Sequence, residues 1–246
     1  MKVEFIFSEF GSRELANQPF SGELRLHPTF QSVRRFFEGA NLVLYTDQEE
    51  IGEKYPGVEL RIIDVDKSPF DRKNHRWGWH CCDYYQVQGL LESKADIAIS
   101  VDSDLVFVSE EVRTILPIIE RFGICVPTNP RQLVKVDGIH TRGNDGDYRI
   151  DEDESRGNLL TYDLWWMGFD PMDQRGRRWL EEFSSLMQAN PKRGPLQLTR
   201  ACWNTGIFPY SMAKQWGVGK DDLGIGNEII LHAGHEEVID FYKLDI

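Results

Sequence analysis

Two hydrophobic periods alternate along the first half of the chain. Val3–Ser8, Asn41–Thr46 and Val58–Val65 are short runs rich in β-branched and aromatic residues, the third introduced by the turn pair Pro56-Gly57, and they predict strands. Asp96–Val101 is apolar enough to predict a strand buried on both faces, and Gly123–Pro127 predicts another. Between these runs the period lengthens to that of a helix. Thr29–Phe37 places Val33, Phe36 and Phe37 on one face, and Trp79–Ser93 repeats Tyr84, Val87, Leu90 and Leu91 at three- and four-residue intervals. Ser109 is placed to cap a further helix, with Glu110 and Glu111 in its first turn and Val112, Ile115 and Ile119 inside. Strands alternating with helices predict an α/β fold with a mostly parallel central sheet flanked by helices.

The stretch Thr128–Asn158 breaks this pattern with Gly138, Gly143, Gly146, Gly157 and the acidic run Asp151–Glu154. A loop of that length in a compact domain is either disordered or a functional lid. An amphipathic helix is expected over Gln174–Gln188, with Trp179, Leu180, Phe183 and Leu186 inward. No linker rich in Pro or Ser divides the chain. The expectation is therefore a single domain over 1–246, in which 1–127 and 128–246 are two halves of one body.

Charge narrows the function classes. With 28 Lys+Arg against 40 Asp+Glu the formal net charge is −12, which argues against a sequence-independent grip on nucleic acid and against docking on an anionic membrane. Cys81, Cys82, Cys125 and Cys202 are too few and too irregular for a disulfide framework. No apolar run is long enough to span a membrane, and Glu4 interrupts the N-terminal apolar run, so no signal peptide is expected. A cytoplasmic location without a membrane span follows as the expectation. An acidic protein can still hold a phosphorylated ligand through a metal ion.

Asp102-Ser103-Asp104 stands where the apolar strand ends, and in parallel α/β sheets ligands gather at the carboxyl ends of strands. Extended geometry would point both carboxylates to one side, where their repulsion calls for a hard divalent cation. A solvated turn is the plain alternative. Near the C-terminus, Glu228–Leu231 reads as a strand running into His232-Ala233-Gly234-His235. A histidine leaving a strand beside a glycine can approach a metal held by carboxylates. An Asp/Asp/His set suits Mn²⁺, with Mg²⁺ also admissible. His232 leaves the strand directly and is preferred over His235, although a surface histidine pair is the alternative.

On these residues the chain resembles the GT-A-fold glycosyltransferases that use nucleotide-sugar donors. The likeness rests on the α/β N-terminal half, the helix leading into Ala95–Phe107 with its D-x-D, and the late histidine turn. It implies a GT-A-like, Rossmann-type sheet. It further implies that Asp102 and Asp104, with His232, bind a divalent metal on the donor diphosphate, with Ser103 between them at the donor. A UDP-linked donor and a carbohydrate or glycosylated acceptor are the implied partners. In the branch with glycogenin-like enzymes a glycine follows the histidine by three residues and a lysine comes after. Here Gly234 comes two residues on, and Lys243 is the next lysine.

Further candidates surround this core. Ser8, with Glu9, ends the first strand, where this fold brings in base and ribose. Lys73 belongs to the basic cluster Arg72, Lys73, His75, Arg76, which could orient phosphates or simply be a solvated loop. Tyr85 lies where related enzymes contact the donor, with a core role as the alternative. Six of seven tryptophans, all but Trp179, lie in or beside expected loops and are candidates for an acceptor groove, as is Trp203–Phe208. Asp163 and Asp222 are candidate catalytic carboxylates, the alternative for each being a cap or a solvated side chain. Two other classes stay open: a sugar nucleotidyltransferase, for which only Gly11-Ser12-Arg13 follows the first strand, and a non-catalytic carbohydrate-binding protein.

Overall fold

The computed structural model describes residues 1–11, 22–49, 51–74, 76–128, 162–191 and 194–244. Past Thr128 the expected lid Thr128–Asn158 lies outside the described residues, as does His75. The elements are β1 (Val3–Glu9), α1 (Gly22–Phe36), β2 (Asn41–Thr46), α2 (Ile51–Lys54), β3 (Glu59–Ile62), α3 (Trp77–Glu92), β4 (Ile97–Val101), β5 (Leu105–Phe107), α4 (Ile115–Phe122) and β6 (Ile124–Pro127). There follow β7 (Trp166–Phe169), α5 (Gln174–Ala189), α6 (Gly194–Thr205), β8 (Tyr210–Met212), β9 (Ile230–His232) and α7 (Glu236–Tyr242).

Seven strands form one sheet in the order β3-β2-β1-β4-β7-β6-β8. Every neighbouring pair is parallel except those made by β7, which runs against both β4 and β6. The mostly parallel sheet flanked by helices is thus as expected, and it runs through both halves of the chain. β5 and β9 pair separately as an antiparallel ladder.

Strand alternation sorts the core into two layers. Phe5, Phe7, Leu42, Leu44, Ile97, Ile99 and Val101 pack in one cluster with Phe30, Val33 and Phe36 of α1 and Ile119 of α4. Ile6, Val43, Tyr45 and Ala98 pack in the other, with Val87 and Leu90 of α3 and Trp179, Leu180 and Phe183 of α5. Successive residues of a strand point to opposite faces, so a sheet covered on both sides needs runs that are apolar throughout.

Boundaries shift for local reasons. α1 begins at Gly22 rather than Thr29 and carries Pro28 inside it, a residue that forgoes a helix hydrogen bond and therefore reads as a break. The third strand shortens to Glu59–Ile62, a largely exposed edge strand. The Ser109 hydroxyl accepts from the Glu111 N–H, but the turn it caps is a 3₁₀ segment, Glu110–Thr114, that hands over to α4. α5 follows the expected span closely, capped by Asp173 through the N–H groups of Arg175 and Gly176.

α3 lies close on the sheet because Gly89 has no side chain: a Cβ there would stand 2.5 Å from Cγ2 of Ile6 and 2.9 Å from Cε2 of Tyr45. Gly89→Val is expected to destabilise the fold by about 1–3 kcal/mol through overpacking. Thermal melts should show a lower Tm; an unchanged Tm would mean that α3 lifts from the sheet without cost.

Candidate metal-binding site

The chain leaves β1 toward β2 and β3 on one side, then returns through α3 to β4 on the other. The carboxyl ends of β1 and β4 therefore flank the point where strand order reverses, which is where open α/β sheets form a ligand crevice. Glu9 closes β1, and Asp102-Ser103-Asp104 follows β4 directly.

The segment is a tight turn pinned from several directions. The Leu105 N–H donates back to the Asp102 carbonyl at 3.3 Å, and the Asp102 N–H donates to the Trp165 carbonyl at 2.7 Å. Ser103 points inward: its hydroxyl donates to Oε2 of Glu9 at 2.6 Å, and its carbonyl accepts from the Thr29 hydroxyl at 2.7 Å. The Ser103–Glu9 bond ties the turn after β4 to the end of β1. Gln86 of α3 donates through Nε2 to Oδ1 of Asp102 at 2.6 Å. Ser103 is 1% and Asp104 7% exposed, so this is no solvated turn.

The third member arrives through the β5–β9 ladder, whose register sets His232 opposite Leu105. The Ala233 N–H donates to the Asp104 carbonyl at 2.8 Å, and the His232 N–H to the Val218 carbonyl at 2.9 Å. Nε2 of His232 then lies 3.4 Å from Oδ1 of Asp104. Gly234 follows, and an added Cβ there would overlap the Asp104 carboxylate. The Trp165 ring stacks on the His232 imidazole at 4.7 Å and 28°, with His235 on a tilted contact at 4.9 Å. Lys214 places Nζ 5.1 Å from the Trp165 ring centroid and 2.9 Å from Oδ2 of Asp222.

These residues fit a divalent cation. Ligand atoms of Asp102, Asp104 and His232 lie within 4.8 Å of one another. Two donors at right angles on an ion about 2.1 Å away stand about 3 Å apart, close to the His232–Asp104 spacing. Nδ1 of His232 is buried with no hydrogen-bond partner among the described residues. The donor set is mixed oxygen and nitrogen, of the kind that Mn²⁺ accepts.

The other candidates are placed as follows. Ser8 is buried, and its hydroxyl donates to the Cys82 carbonyl at 3.1 Å. Lys73 stands exposed in the turn before α3, its N–H held by Oδ1 of Asp71. Tyr85 stacks on Phe10 at 5.4 Å, and burial pushes its phenol up to about 12. Asp163 is buried, with Oδ1 accepting from the Leu164 N–H at 2.9 Å, two residues before Trp165. Of the tryptophans assigned to loops, Trp77, Trp166 and Trp216 are core residues: Trp77 opens α3, Trp166 opens β7 and Trp216 ends the 3₁₀ turn Lys214–Trp216. Trp79, Trp165 and Trp203 remain partly exposed. Trp203, Asn204 and Thr205 form the last turn of α6, where Asn204 donates to Glu182. Gln86, Thr29 and the stacking role of Trp165 carry no sequence signal, since a glutamine on a helix or a threonine before a core phenylalanine is unremarkable in isolation.

No protein-family model matches the sequence, and no curated protein matches it. Solved structures do. The apo structure of the bifunctional glycosyltransferase WbbM is similar to this chain with a TM-score of 0.58 at 12% identity, over 96% of this chain and 46% of that one. Apo mouse xyloside xylosyltransferase 1 is similar with a TM-score of 0.58 at 13% identity, over 95% of this chain and 98% of that one. The chain thus spans less than half of the first and nearly all of the second. At such identities the likeness is one of fold, and the fold is one that glycosyltransferases use. Among the described residues no helix is long and apolar enough to cross a membrane.

Gly234→Ala is expected to push the Asp104 carboxylate aside and, if the site holds a divalent cation, to weaken its binding about tenfold with Mn²⁺ as the probe, the scale seen when a ligand's support is disturbed. Isothermal titration would read it. Unchanged affinity at unchanged Tm would show that Asp104 has room to move.

Proposed function

We propose that the chain is a metal-dependent glycosyltransferase that moves a sugar from a nucleotide-diphosphate donor, UDP-linked, to a carbohydrate or glycosylated acceptor. One observation carries the reading: Asp102, Asp104 and His232 converge at the strand-order reversal of a fold that glycosyltransferases use. Both neighbours are named as glycosyltransferases, and only that reaction class is taken from them.

In this reading the three side chains hold Mn²⁺, or Mg²⁺ in its place. The bound cation supplies charge neutralisation for the donor diphosphate as its bond to the sugar breaks. Gln86 fixes one Asp102 oxygen, and the Glu9–Ser103 bond fixes the turn, so the carboxylates need little reorganisation to bind. In this reading the donor sits at the carboxyl ends of β1 and β4, with Ser8, Ser103, Tyr85 and Lys73 as the proposed donor-binding residues, and Ser103, whose hydroxyl is bonded to Glu9, would serve through its backbone. Ser8 would serve through its backbone, because its hydroxyl is already donated to Cys82.

Asp163 and Asp222 are the proposed carboxylates for proton transfer from the acceptor. Asp222 is linked to the metal cluster through Lys214 and the Trp165 ring. The reading includes a cytoplasmic location; Cys81, Cys82, Cys125 and Cys202 are buried and form no disulfide among the described residues.

The test is purified protein with Mn²⁺ against a panel of nucleotide sugars, read by released nucleoside diphosphate and by thermal shift. Turnover of one donor, abolished by EDTA and restored by Mn²⁺, is expected. Asp102→Ala or Asp104→Ala should lose at least about 100-fold, beyond the range for a residue that only supports a metal ligand. Full activity in either variant overturns the assignment. Pyrophosphate release from a nucleoside triphosphate and a sugar phosphate would select a nucleotidyltransferase instead.

A further inference from the structure

Trp165 touches the metal cluster from two directions. Its backbone carbonyl accepts the Asp102 N–H at 2.7 Å, and its ring lies on the His232 imidazole at 4.7 Å and 28°. Asp102 follows β4 and His232 ends β9, two elements from different sheets. Trp165 precedes β7, whose first residue, Trp166, pairs with Val101 at the end of β4. The indole is therefore anchored by the main sheet and leans on a ligand delivered by the small one.

The surroundings hold the ring in that place. Gly217 leaves room for it: a Cβ on Gly217 would come within 3.0 Å of Cε3 of Trp165. The Lys214 ammonium lies 5.1 Å from the ring centroid and is itself held by Asp222 at 2.9 Å. A cation over an indole face is attracted by the ring quadrupole, and this one is only 20% exposed, so the contact is partly desolvated. Neighbouring Trp166 donates through Nε1 to the Trp216 carbonyl, which ties the two tryptophans' strand start to the same 3₁₀ turn, Lys214–Trp216, that carries Lys214.

An imidazole at a strand end can rotate about χ1 and χ2, and only some orientations direct a ring nitrogen toward Asp104. A stacked indole removes most of that freedom before any cation binds. Nδ1 of His232 has no hydrogen-bond partner among the described residues, so among them it is ring contact with Trp165, and not the usual second hydrogen bond to a metal-binding histidine, that orients this ring.

We propose that Trp165 is a positioning residue for the metal cluster, acting through His232: it fixes the imidazole by stacking, and the Asp222–Lys214 pair fixes Trp165 in turn. This rests on the metal-dependent reading of the site. Its role does not require contact with substrate.

The experiment is a double-mutant cycle in Mn²⁺ affinity, measured by isothermal titration on the intact chain without donor or acceptor. Trp165→Ala is expected to weaken Mn²⁺ binding about tenfold, in line with loss of an outer partner, and Trp165→Phe, which keeps an aromatic face, should recover most of it. In a His232→Ala background, Trp165→Ala should cost less than about twofold, because the residue through which it acts is gone. Thermal melts run alongside separate folding from positioning, and Trp165→Phe keeps the test open if Trp165→Ala does not fold. Losses that simply add across the cycle, or Trp165→Phe as weak as Trp165→Ala, overturn the positioning role while leaving the metal site standing. Failure of the unaltered chain to bind Mn²⁺ overturns the metal reading and this inference with it.

Discussion

Repulsion between carboxylates sets the terms for this site. Asp102 and Asp104 flank a residue whose hydroxyl is bonded to a third carboxylate, Glu9, and all of this lies at the end of a buried strand. Like charges so close, and so poorly exposed to water, are tolerated when hydrogen bonds and a counter-charge are organised around them. Most of what is specific about the local structure answers that need. Ser103 turns inward to Glu9, Gln86 donates to Asp102, backbone N–H groups grip the turn, and the β5–β9 ladder delivers an imidazole to Asp104.

The parts of this arrangement legible in sequence were those with short-range causes. Strands buried on both faces are apolar throughout, so β1, β2 and β4 could be read from composition alone, and the D-x-D could be placed at a strand end. α5 announces itself by the period of Trp179, Leu180, Phe183 and Leu186. What escaped is long-range. Gln86 matters only because α3 runs beside β4, and Trp165 only because β7 runs antiparallel to it. Nothing in the residues near either position records those facts. Pro28 forgoes a helix hydrogen bond and so reads as a break, yet α1 begins before it, at Gly22.

The tryptophans teach the same lesson in reverse. Their number invited a reading as sugar-stacking surface, yet Trp77, Trp166 and Trp216 are buried among core side chains. Trp77 and Trp166 open α3 and β7, and Trp216 closes a 3₁₀ turn, positions at element boundaries that look like loop in a linear reading.

The small β5–β9 ladder has a consequence for how the molecule matures. The cluster draws on residues near positions 9, 86, 102, 165 and 232, so its contacts close some of the longest loops in the chain. Closing such loops costs entropy that local structure cannot repay in advance, and non-local pairings of this kind form late. The β5–β9 ladder joins Leu105 to His232, a longer separation along the chain than the widest pairing in the main sheet, Val3 with Ile97, so the main sheet can assemble first. Competence to hold a cation would then be the last property the folding chain acquires, and the first one lost when the structure begins to open.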